Sequence, residues 1–126
     1  MWGVPIRSVM ESRKLVLATP ETSVSEAGRL MKNANVGAVL VVQQGRLVGI
    51  FTERDAVYRV MALDRDPQAT RLAEVMTREP KTVAPDDAFG AALLLMHEHG
   101  FRHAPVIEAG RPVGVVSARS ALDPEL

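Results

Sequence analysis

The 126-residue sequence predicts an α+β (α/β) fold built from two copies of a β-α-β-β-α unit. Short apolar runs bounded by Pro and Gly alternate with segments whose apolar residues recur at helical spacing. The second half of the chain then repeats the first half in register. Each copy has an apolar sheet face that it cannot cover alone, so we expect a pseudo-two-fold pair with clefts where the copies meet.

Charge and cysteine content exclude several classes of protein. The chain has 15 basic and 15 acidic side chains, so no overall field recruits nucleic acid or an anionic membrane. It has no cysteine, which excludes disulfides, thiol catalysis and cysteine metal sites. We see no signal peptide and no run near the roughly 18 apolar residues of a membrane span. A cytoplasmic protein with neither nucleic acid nor a membrane as partner is the expectation.

The first elements follow from local signals. The apolar run Leu15–Ala18 predicts a strand, which Pro20 ends. Ser23 and Glu26 form a capping box, and the apolar spacing that follows predicts an amphipathic helix to about Ala34.

A hairpin and a second helix complete the first copy. The β-branched run 38–42 predicts a strand that is covered on both faces. Gly45 supplies the positive φ of a hairpin turn, and 47–51 forms the partner strand. Apolar residues at helical spacing predict a second helix over 53–63.

The repeat is visible residue by residue. Val75-Met76 matches Val9-Met10 at an offset of 66, and from Pro20 onward the offset is 65. Eleven identities in about 37 aligned positions support two repeats, which we place at 6–66 and 72–126. The identical pairs are Pro20/Pro85, Ala27/Ala92, Leu30/Leu95, Met31/Met96, Val41/Val106, Gly45/Gly110, Arg46/Arg111, Val48/Val113, Gly49/Gly114, Arg54/Arg119 and Ala56/Ala121.

Core residues are expected at matched positions of the two copies. Methionine fills irregular gaps, so the paired methionines are interpreted as packing residues. The expected core residues include Met10, Met31, Met76, Met96, Phe89 and the run Leu93–Leu95.

The stretch from Gly49 to Asp55 joins a strand end to a helix start, and it has the residues of a ligand site. Gly49 leaves room for another backbone or a ligand. Thr52 offers a hydroxyl at the helix start, where unpaired N–H groups favour a phosphate, and Arg54 adds positive charge. The Asp55 carboxylate suits a vicinal diol such as a ribose. The alternative is an ordinary junction with a Thr cap and a first-turn acid.

The repeat, the two Val-Met openings, the Gly-Arg-x-Val-Gly hairpins and the string Gly-Ile-Phe-Thr-Glu-Arg-Asp resemble a tandem CBS-domain pair, or Bateman module, over Ile6 to Leu122. The resemblance implies repeats packed sheet to sheet and modules that associate as disc-like homodimers. It also implies clefts that bind an adenosyl small molecule, namely AMP, ADP, ATP, NAD or S-adenosylmethionine, as a regulatory ligand with no cofactor required. Such a module regulates an effector protein, whose identity the sequence does not give.

The resemblance also implies roles for single residues. Gly49, Ile50, Thr52 and Asp55 match the family's closing string, with Asp55 on the ribose hydroxyls and Thr52 and Arg54 facing phosphates. The base pocket would be contributed by segments of the other repeat. The residues that the resemblance assigns to this pocket are Thr77, Pro80, Lys81, Phe101, Arg102, His103 and Ala104.

The second closing string departs from the family pattern. It keeps Ser117 and Arg119 but has Ser120 where the family has aspartate. A serine lacks the charge that strengthens a hydrogen bond to a diol. We therefore expect one competent site at Asp55 and a weaker or empty second site. The second site would comprise Val36, Gly37, Ala38, Val115, Ser117, Arg119 and Ser120.

Catalysis is not expected, because the sequence has no Gly-x-Ser-x-Gly elbow, Walker-type loop or His-Glu-x-x-His motif. His97 and His99 point apart on a helix, so no metal site is predicted there. Two hypotheses remain. The chain is either a regulatory adenosyl-nucleotide-binding module or a structural dimerisation module that binds no nucleotide.

Overall fold

The computed structural model describes residues 2–10 and 15–122, and the chain divides into two compact units. The first unit is Val16–Pro80. The second unit joins Met1–Leu15 to Lys81–Leu126. The segment at the N-terminus therefore belongs with the second copy of the repeat, and the segment that opens the second copy belongs with the first.

The first unit is a four-stranded sheet with helical segments. Strand β1 runs parallel to β2, which pairs with β3 in an antiparallel hairpin, and β3 pairs with β4. The elements are β1 Leu17–Ala18, α1 Val24–Ala34, β2 Ala38–Gln43, β3 Arg46–Thr52, α2 Glu53–Asp55, α3 Leu72–Val75 and β4 Thr77–Arg78. The hairpin, α1 and the central strands confirm the sequence prediction, whereas β1 is shorter than predicted.

The predicted second helix is helical from 53 to 63 but changes its hydrogen-bond pattern along its length. After α2 comes a π-helical turn, Ala56–Val60, and then a 3-10 turn, Met61–Leu63. Asp64 ends the segment with a φ of 54°. The apolar spacing predicted helix, but it carries no signal for the change of pattern.

Half of the predicted capping box at the start of α1 is present. The Ser23 side chain accepts a hydrogen bond from the backbone N–H of Glu26 at 3.1 Å. The Glu26 carboxylate instead forms an ion pair with Arg29 at 2.7 Å. Carbonyls of Thr70 and Pro67 accept from the first two N–H groups of α1, so the connector completes this cap.

The second unit contains α4 Phe89–His99 and the hairpin of β5 His103–Glu108 and β6 Arg111–Ser117. The strand that would open this copy is reduced to one parallel bridge between Val83 and Val106. The ladder ends there because the next residue to face β5 would be Pro85, which has no N–H to donate, and the Ala84 N–H bonds the Asp87 side chain.

The residues before Ile6 cap α4. Ala88, at the N-cap, has no side-chain hydrogen bond. The carbonyls of Val4 and Trp2 accept from the N–H groups of Phe89 and Gly90, both at 2.8 Å. This backbone cap parallels the one that the 67–70 connector gives α1.

Each unit has its own core. Burial of one of the large apolar side chains stabilises the fold by about 1.5–3 kcal/mol. The first core contains Ala18, Val24, Ala27, Met31, Val39, Val41, Phe51, Val60, Leu72, Val75 and Met76. The second contains Ile6, Val83, Phe89, Ala92, Met96, Ala104, Val106 and Val116, with Met10, Leu93 and Leu95 partly buried against it.

The expectation that Leu94 lies in the core is wrong. Leu94 is 57% exposed, because Phe89, Ala92 and Met96 set the buried face of α4 and Leu94 lies on the opposite face. Within residues 2–10 and 15–122, no helix is long and apolar enough to cross a membrane.

Candidate functional site

Thr52 and Asp55 form a reciprocal capping box where β3 runs into α2. The backbone N–H and the hydroxyl of Thr52 both donate to Asp55 Oδ2, at 3.0 and 3.2 Å. The Asp55 N–H donates back to Thr52 Oγ1 at 3.3 Å. Asp55 is only 8% exposed, so these donors offset the cost of removing its charge from water.

Arg59 is a neighbour of the site that the sequence interpretation missed. Its Nε lies 3.5 Å from Asp55 Oδ1, and Nη1 donates to the carbonyls of Val75 and Met76 at 3.2 and 3.3 Å. The i,i+4 spacing of an acid and an arginine in a predicted helix was the available signal. Arg59 thus links the Asp55 carboxylate to the end of α3.

Arg54 lies over an aromatic ring. Its guanidinium carbon is 5.1 Å from the centroid of the Tyr58 ring, within cation–π range. Both side chains are exposed. The role of Arg54 toward a phosphate stays a prediction.

Gly49 is required by close packing within the first unit. A Cβ at this position would lie 2.5 Å from Met76 Sδ and 3.0 Å from the Thr77 carbonyl oxygen. Gly49 pairs with Arg78 of β4, and Ile50, which is buried, pairs with Thr77. Of the two reasons that the sequence offered for this glycine, the approach of another backbone is therefore confirmed.

The structure brings five of the predicted residues together at this end of β3: Gly49, Ile50, Thr52, Asp55 and Thr77. Thr77 is exposed, and the turn after it contains Glu79 with a φ of 46°. Pro80 follows at the end of the same unit.

The other predicted base-pocket residues belong to the second unit. The ring of Phe101 stacks on His99, with centroids 6.2 Å apart, and Ala104 is fully buried. His103 pairs with Ser117 across the β5–β6 ladder. Lys81 and Arg102 are exposed. Their roles toward a ligand stay predictions.

The second-site residues are divided in the same way. Val36, Gly37 and Ala38 lie in the first unit, where the Gly37 carbonyl accepts from the Glu53 N–H at 3.1 Å. The remaining four, Val115, Ser117, Arg119 and Ser120, lie in the second unit at the end of β6 and in the 3-10 segment after it. Among the described residues, no group of three or more His, Asp or Glu side chains is placed to hold a metal ion.

A family model for the CBS domain matches residues 6–62 and 72–123. This chain belongs to the CBS-domain family. The matches cover both copies of the repeat, and the α+β fold with two CBS repeats is confirmed.

Two similar proteins match this chain over most of their own length. CBS domain-containing protein YhcV of Bacillus subtilis is 38% identical over 112 residues, which are 87% of this chain and 79% of that protein. The crystal structure of an uncharacterized conserved protein from Pyrococcus horikoshii superposes with a TM-score of 0.88 at 32% identity, covering 97% of this chain and 92% of that one.

A second solved structure is similar in fold. The CBS domain pair of protein MJ0100, solved in complex with 5′-methylthioadenosine and S-adenosyl-L-methionine, has a TM-score of 0.85 at 22% identity. The match covers 94% of this chain and 93% of that one.

Proposed function

We propose that this CBS pair is a regulatory module that binds an adenosyl compound at Asp55 and transmits its occupancy to an effector protein. The observation that carries the proposal is the nearly buried Asp55 carboxylate, held by Thr52 at the start of α2, in a chain of the CBS family. A fixed, charged acceptor suits the hydroxyl groups of a ribose. The proposed activity is binding without catalysis.

The orientation of the carboxylate supports this assignment. Thr52 occupies Oδ2 with two donors, so the acceptor available to a ligand is Oδ1. Arg54 and Thr77 are the nearby residues proposed to face the phosphate and the base. The adenosyl class is also the class of the two compounds bound to the MJ0100 pair.

A thermal-shift screen tests the proposal. The wild-type chain is melted alone and with AMP, ADP, ATP, NAD and S-adenosylmethionine, with GTP as the guanine control. A ligand at a hundred times its dissociation constant adds about 2.7 kcal/mol to the free energy of unfolding. We expect a clear rise in Tm with at least one adenosyl compound.

Two variants and one control locate the site. Asp55→Asn keeps the size of the side chain, and Asp55→Ala removes it, whereas Ser120→Ala changes the matching position of the second copy. Because Asp55 also caps α2, each protein is compared with its own ligand-free Tm. The shift should be lost in both Asp55 variants and kept in Ser120→Ala. A full shift in Asp55→Asn and Asp55→Ala would contradict the site.

A specific observation also favours the second candidate, a structural module that self-associates. Four large apolar side chains on the helical segment after Asp55 are exposed, including Tyr58 at 60% and Met61 at 70%; the others are Val57 and Leu63. Exposed apolar and aromatic side chains in one segment are typical of an interface.

Sedimentation tests this candidate separately. We propose that the chain forms a homodimer through this segment, so Met61→Glu should shift it toward monomer while the neighbouring exposed change Asp64→Asn should not. Dimerisation together with no thermal shift at millimolar concentrations of every nucleotide would replace the nucleotide-binding proposal by the structural one. A wild-type chain that sediments as a monomer would contradict the dimer.

A further inference from the structure

Arg59 joins two parts of the first unit through one guanidinium group. Nε faces Asp55 Oδ1, and Nη1 donates to the carbonyls of Val75 and Met76. Those carbonyls lie at the end of α3, where backbone acceptors have no partner within the helix. Asp55 and the α3 end are therefore held by the same side chain.

We propose that Arg59 is a ligand-responsive latch, which releases Asp55 Oδ1 when a ribose hydroxyl binds that oxygen and so loosens the end of α3. This inference rests on the proposed function. It goes beyond it by naming the residue through which occupancy of the Asp55 site changes the rest of the unit.

Counting acceptors shows why ligand and latch compete. A carboxylate offers about four lone-pair positions, and Thr52 already uses two of them on Oδ2. The two hydroxyls of a vicinal diol must therefore take both remaining positions, which lie on Oδ1, and one of these positions faces Arg59. The Nε to Oδ1 distance of 3.5 Å is longer than the roughly 2.8 Å of a strong charged hydrogen bond. A ligand hydroxyl is thus able to displace this contact.

Because Arg59 is half exposed, the free-energy cost of releasing it from Asp55 is small. Its side chain is 50% exposed, against 12% for that of Asp55, so solvent screens the ion pair and hydrates the guanidinium once it moves. Asp55 keeps its Thr52 donors throughout and stays in place. The moving part is therefore Arg59 and not the carboxylate.

The effect of release reaches β4 directly. Met76 precedes Thr77–Arg78, which pair with Ile50 and Gly49 of β3. The Met76 N–H donates to the Leu72 carbonyl at 2.8 Å, which closes the last turn of α3. Removing the Arg59 donor from the Met76 carbonyl weakens the restraint on this turn and on the strand that follows it.

Sequence confines the latch to the first copy. At the offset of 65, Asp55 corresponds to Ser120 and Arg59 to Pro124. Neither the carboxylate nor the guanidinium is repeated, so the second copy has no means of responding in this way.

Binding of adenosine and of 2′,3′-dideoxyadenosine by the full chain tests the competition, because the two probes differ only in the ribose hydroxyls. Arg59→Gln should bind adenosine about threefold more tightly than the wild type, since an exposed ion pair of this kind no longer competes. Affinity for dideoxyadenosine should stay unchanged. Titrations followed by NMR chemical shifts give all four dissociation constants.

Arg65→Gln is the matched control. Arg65 pairs with Glu74 of α3 at 2.7 Å, so this variant loses the same charge and a tether to the same helix without altering the partner of Asp55. It should leave the ratio of the two affinities at the wild-type value. A gain in adenosine affinity equal to that of Arg59→Gln would overturn the latch, because any loosening of α3 would then be enough to strengthen binding.

Amide hydrogen exchange supplies a second readout. The Met76 amide should exchange faster in Arg59→Gln than in the wild type, and adenosine should speed its exchange in the wild type only. Two results overturn the latch and leave the proposed function standing. The first is an equal change in affinity for both probes in Arg59→Gln, and the second is a Met76 amide exchange rate that adenosine does not alter in the wild type. A wild-type chain that binds neither probe overturns the latch, and if it also binds no nucleotide of the thermal-shift screen the proposed function fails with it.

Discussion

The turn after β3 and the turn after β6 occupy matching places in the two copies, where the strands pair alike but the helical turn and the side-chain bonding differ. Both ladders have an irregularity at the same position, between Val41 and Val42 and between Val106 and Ile107. The Glu53 N–H bonds the Gly37 carbonyl at 3.1 Å, and the equivalent pair, 65 residues later, bonds at 2.9 Å. The backbone pairing of the two hairpins is therefore closely similar.

The side chains of the two turns differ. Asp55 receives two hydrogen bonds from Thr52 and faces Arg59, while Ser120 stands in its place in the second copy. Within residues 2–10 and 15–122, no side-chain hydrogen bond joins Ser117 to Ser120. Backbone pairing and apolar packing therefore maintain the fold in both copies, whereas the candidate site depends on a few polar side chains that can be lost without losing the fold.

The largest effect is expected from Gly49→Ala, which places a methyl group against β4. The new Cβ would meet the Thr77 carbonyl oxygen at 3.0 Å as well as Met76 Sδ, so backbone and side chain must both shift. We expect a loss of about 2 kcal/mol in the free energy of unfolding, or about 8 °C in Tm.

Gly28→Ala is the control for that substitution. Gly28 lies in α1, and a Cβ there meets nothing within 4 Å. This change should raise stability by about 0.5–1 kcal/mol, since alanine favours a helix. Equal melting temperatures for the two variants would show that β4 does not restrict Gly49.

Asp55→Ala tests the difference between the two turns directly. It removes the acceptor of two hydrogen bonds and the partner of Arg59, so we expect a loss of about 1.5 kcal/mol. Ser120→Ala should change stability by less than about 0.5 kcal/mol. Urea unfolding of both variants measures the difference, and similar losses would mean that the turns are equivalent after all.

A pair of cap substitutions extends the comparison to the first helix of each copy. Ser23→Ala should cost about 1 kcal/mol, because Ser23 accepts the Glu26 N–H. Ala88→Ser introduces a hydroxyl at the matching N-cap, which has extended backbone angles and no side-chain cap, and should add about 0.5–1 kcal/mol. Thermal melts of the two variants should move in opposite directions, and a fall in Tm for Ala88→Ser would contradict the prediction.

The smallest effect is expected from Ser120→Asp, which gives the second copy the acid of the first. The introduced carboxylate and the Ser117 hydroxyl would have the spacing of the capping box that Thr52 and Asp55 form. Because the second copy lacks a counterpart of Arg59, the gain should be only about 0.5 kcal/mol. Thermal melts measure it, and destabilisation would show that the environment of Ser120 does not accept a carboxylate.

Much of the fold could be predicted because its signals are local. Gly45 and Gly110 both have a φ of 78°, which is typical of glycine in a hairpin turn. An apolar run on each side of the first turn predicts β2 and β3. Leu94 was placed wrongly because a continuous apolar run does not show which helix face is buried; the tertiary contacts of Phe89, Ala92 and Met96 decide that.

The candidate site could be predicted only in part. The Gly49–Asp55 string indicated a helix start with a carboxylate, and the structure shows that carboxylate held by Thr52. The partners of Arg59 could not be predicted, because the carbonyls of Val75 and Met76 are distant in sequence and carbonyls carry no residue-specific signal.

The sequence by itself determined the first helix and the hairpin of the first copy, the two-fold repetition and the residues of the closing strings, since periodicity, turn chemistry and internal identity are properties of short segments. Only the tertiary structure decided that the Trp2–Val4 carbonyls cap α4 while those of residues 67–70 cap α1. It also decided that Met76 and Thr77 exclude any side chain at Gly49. These are backbone contacts between distant segments, and a sequence pattern contains no record of which distant backbone lies beside which.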